Sequence, residues 1–472
     1  MKQRFTALLL ALLFPLLLQL GAPAAAWDGE ENYPGPSSAP DAPYDGYLFC
    51  LKEDTAVLYS LPDSIEPISP EAGIYKADTL DTVYDFLPEA ALRYVEPDYI
   101  VTLFDNAPAE EYPSRWALGL IGMQSAWDAG LDGSGVRVGI LDSGVHREHE
   151  DLQDAELLTG YNYLDNNTDT SDEYGHGTFI AGIIAAQHNG KGIAGLAPRA
   201  EIVPLKCFGT KTSLTSVLSS AIRESADKFH CDILNLSFGT PVSSRTMENA
   251  VQYASEKGVI ITAAVGNDGN QTRNYPAAYG CVIGVGSVGS DGTVAANSQR
   301  NDSVWITAPG HNLYGLDAAG TSTYREWSGT SFASPHVAAA IALLLQKYPG
   351  LQFDEVRSLL ADTAEDKGPP GYDTSYGNGL LSIPGLLSPP NFILNGDRLR
   401  IFAPCEAGET MLAAVYNQDG KMLSCSALPD GCRMNGYSTW LLPLPEQGTQ
   451  VKVFFLSDSR LAPTRAPLAW SR

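Results

Sequence analysis

Five short apolar runs show no alternation of apolar with polar residues: "VRVGIL" (136–141), "EIVPLKCF" (201–208), "CDILNLSF" (231–238), "GVIITAAVG" (258–266) and "CVIGVGSV" (281–288). Helix-like stretches separate them, "HGTFIAGIIAAQH" (176–188), "SLTSVLSSAIRESADKF" (213–229) and "RTMENAVQYASEKG" (245–258). A strand apolar on successive positions is buried on both faces, and intervening helices supply the cover. Residues 116–386 are therefore expected to form one α/β domain around a mainly parallel sheet, three layers deep. In such sheets, sites form beyond the carboxyl ends of strands.

The remaining chain divides around this unit. Lys2 and Arg4 precede the apolar run "ALLLALLFPLLLQL", and "APAAAW" follows it. This is the pattern of a secretory signal peptide over 1–26, cut after Ala26. The run is short for a membrane span and Pro15 interrupts it, so a soluble, secreted protein without a stable membrane span is expected. A Pro/Ser/Asp-rich linker covers 27–45, and residues 46–104 read as a small α+β unit bounded by "GYLFCLK" and "YIVTLF". A second linker spans 105–115. After "LSPPN", alternation returns in "RLRIFAP", "TMLAAVYNQDGKML" and "VKVFFLS", so 390–472 are expected to form a small β-sandwich.

Composition narrows the function. The net charge of −25 argues against nucleic acid as a partner. Seven sparse cysteines, none as CxxC, do not make a disulfide scaffold or a thiolate metal site. Cys207, Cys231 and Cys281 lie in or beside apolar runs and read as buried thiols, while Cys425 and Cys432 are spaced so that they could bridge a hairpin. "HREHE" (146–150) lacks the spacing of a zinc peptidase motif. The glycines of "GSG" (133–135) precede their strand and do not make a dinucleotide loop.

Four stretches carry chemistry. Asp142 follows a buried strand in "ILDSGV", placed for catalysis or for capping a loop. His176 stands between two glycines at a helix start in "YGHGTFIAG". Ser331, in "SGTSFASPHVAA", opens a long apolar helix, either as a cap or as a nucleophile whose developing charge meets unpaired N–H groups. Pro335 is tolerable there because first-turn N–H groups have no helical partner to lose. Asn267 ends a buried strand in "AAVGN", where its amide can donate to an oxyanion.

Together and in this order, these four motifs resemble the subtilase (subtilisin-like, peptidase S8) family over 116–386, which orders its triad Asp, His, Ser. The resemblance implies a serine endopeptidase acting on proteins or peptides. It makes Ser331 the nucleophile, His176 the base and then acid, Asp142 its orienter and Asn267 the oxyanion donor. It implies that Ser237, Phe238 and Gly239 pair with the substrate backbone. It also implies that Gly266 and Asn274 line the main specificity pocket, where family members often have a small residue in place of Asn274. A structural calcium is implied at Asp151 and the loop "QHNGKGIAG", through oxygens of Gln187, Asn189, Lys191 and Ile193. Residues 46–104 resemble the family's propeptide, an intramolecular inhibitor and folding chaperone, with maturation cleavage within 104–115. The rival expectation is a binding or adhesion protein that uses the C-terminal β-domain, with the subtilase unit as scaffold.

Overall fold

A computed structural model describes residues 42–52, 61–62, 64–103, 115–388, 392–395, 398–404, 409–427, 433–434, 437–457, 463 and 466–471. The signal segment and the stretch 105–114 lie outside these residues. The first unit comprises β1 (Tyr44–Leu51), β2 (Glu66–Ser69), β3 (Ile74–Ala77), helix α1 (Leu80–Phe86) and the long β4 (Leu92–Leu103). Its first strand starts two residues inside the expected linker. Thr79 caps α1, its hydroxyl accepting from Thr82 N–H.

The central sheet follows in chain order with β5 (Arg137–Asp142), β6 (Tyr161–Asn162), helix α2 (His176–Ala185), β7 (Glu201–Lys206), the short β8 (Thr212–Leu214) and α3 (Thr215–Asp227). Next come β9 (Ile233–Leu236), β10 (Phe238–Gly239), α4 (Arg245–Glu256), β11 (Ile260–Ala264), β12 (Ile283–Val288) and β13 (Ile306–Pro309). Then follow the hairpin β14 (Leu313–Leu316) and β15 (Tyr324–Trp327), α5 (Thr330–Lys347) and α6 (Phe353–Thr363). Seven strands form one sheet in the order β13-β12-β11-β9-β5-β7-β6, and each pairing is parallel.

The unbroken apolar runs are explained by two cores. Val138, Ile140, Ile233 and Ile260 point into one, with α2 and α5; Leu141, Leu234, Leu236 and Ile261 point into the other, with α3 and α4. Helix α5 is buried from Thr330 to Leu344, as a helix apolar on every side must be.

The first unit joins this domain through its last strand. β4 pairs antiparallel with β1 on one side; toward its end it lies between β8 and β10, with Thr102 opposite both Thr212 and Gly239. Two of its carboxylates serve helix N-termini. Glu96 accepts from the Ser244 hydroxyl and from Arg245 and Thr246 N–H at the start of α4, each at 2.8 Å. Asp98 accepts from Ser216 N–H and Oγ at the start of α3, at 2.9 and 2.6 Å. Unpaired N–H groups and the helix dipole favour carboxylates at both places.

Beyond residue 388, strands β16 (Phe392–Asn395), β17 (Arg398–Pro404), β18 (Glu409–Tyr416), β19 (Met422–Ala427), β20 (Arg433–Met434), β21 (Tyr437–Pro443), β22 (Gln450–Ser457) and β23 (Leu468–Ser471) form two four-stranded antiparallel sheets. Leu399, Ile401 and Leu442 of one sheet meet Met411, Val415 and Phe455 of the other. Phe402 turns away into the peptidase-side core and meets Tyr348 edge-on, ring centres 5.1 Å apart. Beside it the buried Arg400 guanidinium donates to both oxygens of buried Glu355, at 2.7 and 2.6 Å. Cys425 is a free thiol; Cys432 lies outside the described residues.

Candidate active site

The site grows from strand ends. Asp142 closes β5, and Ser143-Gly144 turn the chain away. His176 opens α2, whose N-terminus is held by Asp172: one carboxylate oxygen accepts from Tyr174 and Gly175 N–H, the other from Thr178 N–H and Oγ. Helix and strand end can approach because residue 177 is glycine. A Cβ there would lie 2.2 Å from the Gly144 carbonyl oxygen and 3.1 Å from Asp142 Cβ. The result is a buried pair: His176 Nδ1–H donates to both Asp142 oxygens, at 2.8 and 2.9 Å. The imidazole is packed against Phe332 (ring centres 5.2 Å apart) and edge-on to Trp327 (5.6 Å). Its Nε2 is buried without a hydrogen-bond partner.

Ser331 lies in the first turn of α5, one residue before Phe332. Its hydroxyl donates to the Ser237 carbonyl at 2.8 Å rather than to His176. Asn267 presents a fixed amide. Its Oδ1 accepts from Thr330 N–H at 2.8 Å and Thr330 Oγ at 2.9 Å, and Thr330 Oγ accepts from Gly266 N–H at 3.1 Å. With Oδ1 committed, Nδ2 is the free end, buried and unpartnered. An unpaired buried donor is costly unless something arrives to accept from it, which suits a transient oxyanion. Thr330, which sets that orientation, gave no signal in the sequence beyond its place beside Ser331.

Of residues 237–239, expected to receive peptide, Phe238 and Gly239 form β10 and pair with Leu103 and Thr102 of β4, and Ser237 precedes them. Asn274 is buried against Gly266, donating from Nδ2 to the Val265 carbonyl at 3.0 Å. A Cβ on Gly266 would lie 2.2 Å from that Nδ2, and Gly266 has φ 112°, so only glycine fits.

The residues expected to hold calcium lie apart from this cluster but close to one another. Asp151 is fully buried; one carboxylate oxygen accepts from Asn189 Nδ2 at 3.1 Å, the other from Ile193 N–H at 3.0 Å. Lys191 N–H donates to Asn189 Oδ1, while the Lys191 ammonium reaches Glu150 at 3.0 Å. The Gln187 side chain is committed elsewhere, donating to the Ala185 and Pro198 carbonyls.

One buried histidine near the site titrates abnormally. His336 donates from Nδ1 to the Phe332 carbonyl at 2.8 Å, and burial pushes its pKa down from 6.5 to about 4. The fold holds the neutral ring, so its contribution is present above pH 6.5 and is lost as pH falls toward 4. The loss over that window is expected to reach about 3 kcal/mol. Thermal midpoints measured from pH 7 to 4 should fall less steeply for His336→Gln; parallel curves would count against this assignment.

A model described as "Subtilase family" matches residues 133–379, slightly more than half of the chain. "Minor extracellular protease Epr" of Bacillus subtilis (strain 168) is 36% identical over 318 residues, 64% of this chain and 47% of that protein, so the chain spans about half the length of this relative. "Alkaline protease" of Alkalihalobacillus alcalophilus is 36% identical over 62% of this chain and 73% of its own length. Among solved structures, fervidolysin from Fervidobacterium pennivorans superposes with a TM-score of 0.63 at 24% identity, covering 93% of this chain and 77% of that one, and shares the fold. With an Asp-His pair at the strand end, a serine at the head of the central helix and this breadth of likeness, the chain belongs to the subtilase family, the S8 serine peptidases.

Proposed function

We propose that the protein is a secreted serine endopeptidase that hydrolyses peptide bonds through an acyl-enzyme and is made as a self-processing zymogen. The observation that carries the reading is the buried Asp142–His176 pair with its free Nε2, set against the helix turn that bears Ser331. A turn about χ1 takes the Ser331 hydroxyl from the Ser237 carbonyl toward that nitrogen. His176 then removes the hydroxyl proton as Oγ attacks the scissile carbonyl, and returns it to the leaving amine. Asp142 holds the imidazole in the tautomer with Nδ1 protonated and stabilises the imidazolium. Asn267 Nδ2 donates to the tetrahedral oxyanion, and β10 with the preceding Ser237 aligns the peptide. Asn274 fills the floor of the pocket beside Gly266 and disfavours large apolar side chains there.

The zymogen reading rests on β4, which lies along the edge that substrate would use, and on Glu96 and Asp98 at the two helix N-termini. Cleavage within 104–115 would free the 46–104 unit to act as inhibitor. Secretion rests on the N-terminal apolar segment and on the extracellular relative; among the described residues no helix is long and apolar enough to cross a membrane. The decisive test is covalent. A fluorophosphonate should label Ser331 stoichiometrically in the processed protein, and labelling elsewhere, or none, would sink the reading.

Calcium fits the Asp151 loop chemically. Among the described residues the buried Asp151 carboxylate forms no ion pair and is balanced by neutral donors alone. To offer Oδ1 to the ion, the Asn189 amide would turn over, giving up the bond from Lys191 N–H and its own bond to the Glu150 carbonyl. Oδ1 and the Asp151 oxygens, with the Gln187, Lys191 and Ile193 carbonyls, make a hard set suited to calcium, which would pin the loop to the segment after β5. Calcium at about 100 times its dissociation constant should then stabilise the fold by about 2.7 kcal/mol. Thermal midpoints with and without chelator check this, and Asp151→Asn should abolish the difference.

A further inference from the structure

A helix normally gives the carbonyl of residue i a donor at residue i+4. For Ser331 that residue is Pro335, which has no N–H. The Ser331 carbonyl is met from outside the helix: the Ser237 hydroxyl, in the segment after β9, donates to Ser331 O at 2.7 Å. Ser237 is itself held, because Asn235 Nδ2 donates to its oxygen at 2.9 Å. The Asn235 amide is oriented from its other end, where Oδ1 accepts from Ser334 Oγ at 2.8 Å and from Thr262 Oγ at 3.4 Å. Ser331, Ser237, Asn235, Ser334 and Thr262 are all fully buried.

The direction of this chain of donors matters. A serine hydroxyl has one proton. With Asn235 N–H filling one lone pair of Ser237, the Ser237 proton is free to go to Ser331 O. A reversed Asn235 amide would draw that proton to its own oxygen and release the carbonyl. We propose that Asn235 and the Ser237 hydroxyl are positioning residues: through the Ser331 carbonyl, which finds no N–H at position 335, they set the backbone of Ser331 and with it the attacking oxygen. This gives the proline a role beyond being tolerated. It withholds the N–H of position 335, while the Ser237 hydroxyl ties the nucleophile's carbonyl to the segment after β9. The inference rests on Ser331 being the nucleophile.

The test is a double-mutant cycle on the full chain, read as kcat and KM for a peptide amide and as the rate of Ser331 labelling by a fluorophosphonate, with thermal midpoints alongside. Ser237→Ala should lower kcat and labelling by about tenfold with KM unchanged, the loss of one positioning hydrogen bond. Pro335→Ala restores an N–H at position 335 that can serve Ser331 O. In that background Ser237→Ala should cost no more than about threefold. Ser237→Thr, which keeps a hydroxyl, should recover most of the rate in the natural background. Equal losses in both backgrounds, a loss carried by KM, or a Thr variant as slow as the Ala variant would overturn the proposal. A Ser331→Ala chain that still hydrolyses the amide would instead overturn the nucleophile assignment, which the cycle alone does not touch.

Discussion

Replacing His176 by alanine is expected to lower kcat by about 10⁶ while KM changes little, magnitudes that are those measured for subtilisin itself. The reason lies in the division of labour at the site. A serine hydroxyl is a weak nucleophile without a base, and Nε2 of His176 is the buried nitrogen left free beside the helix turn that carries Ser331. Substrate alignment on the edge strand and the Asn267 amide are untouched, so ground-state binding persists. Asp142→Asn should cost less, on the order of 10⁴, since the imidazole remains but its tautomer is no longer held. Steady-state kinetics on a peptide amide decide between these outcomes. A His176→Ala protein within tenfold of the parent would mean that another group takes the proton.

The second large effect lies far from the chemistry. Arg400→Met is expected to cost about 3–5 kcal/mol, because it leaves the Glu355 carboxylate buried and unpaired. Arg400 and Glu355 are 6% and 1% exposed, and Glu355 also accepts from Gln352 N–H at the start of α6. For one cooperative unit of about 350 residues the thermal midpoint should fall by about 4–7 °C. The double change Glu355→Leu with Arg400→Leu removes both charges and should recover most of that loss. If Arg400→Met leaves the midpoint unmoved, the C-terminal sheets are a tethered module and not part of the same cooperative unit. With Phe402 packed on Tyr348, the expected result is a shared transition.

Much of the site was legible because its residues carry their geometry locally. Asp142 at a strand end, His176 between glycines, Asn267 after a strand and Ser331 at a helix head each announce a place in the fold through neighbours one or two positions away. Hydrogen bonds that span long stretches of chain announce nothing. Thr330 sets the Asn267 amide across 63 residues, and Ser237 holds Ser331 O across 94. Glu96 and Asp98 look like ordinary charges in a β-strand until the helices they cap, 148 and 118 residues onward, are in place. In the fold, the five apolar runs each became a strand, whereas β13 is a four-residue segment too short to stand out by pattern. Pro335 near the helix start was visible in the sequence, but the hydroxyl that meets the Ser331 carbonyl comes from the segment between β9 and β10.

The threading of β4 between β8 and β10 also bounds what this cleft can accept. Neighbouring strands lie about 4.8 Å apart, so withdrawing β4 would leave a slot about 9.6 Å across, with hydrogen-bonding groups along both walls. One fully stretched polypeptide fits that width and satisfies both walls; an α-helix, some 10–12 Å thick with its groups already paired, does not. Under the proposed function, coiled or folded targets would have to fray locally before cleavage, which would favour loops, frayed ends and denatured chains.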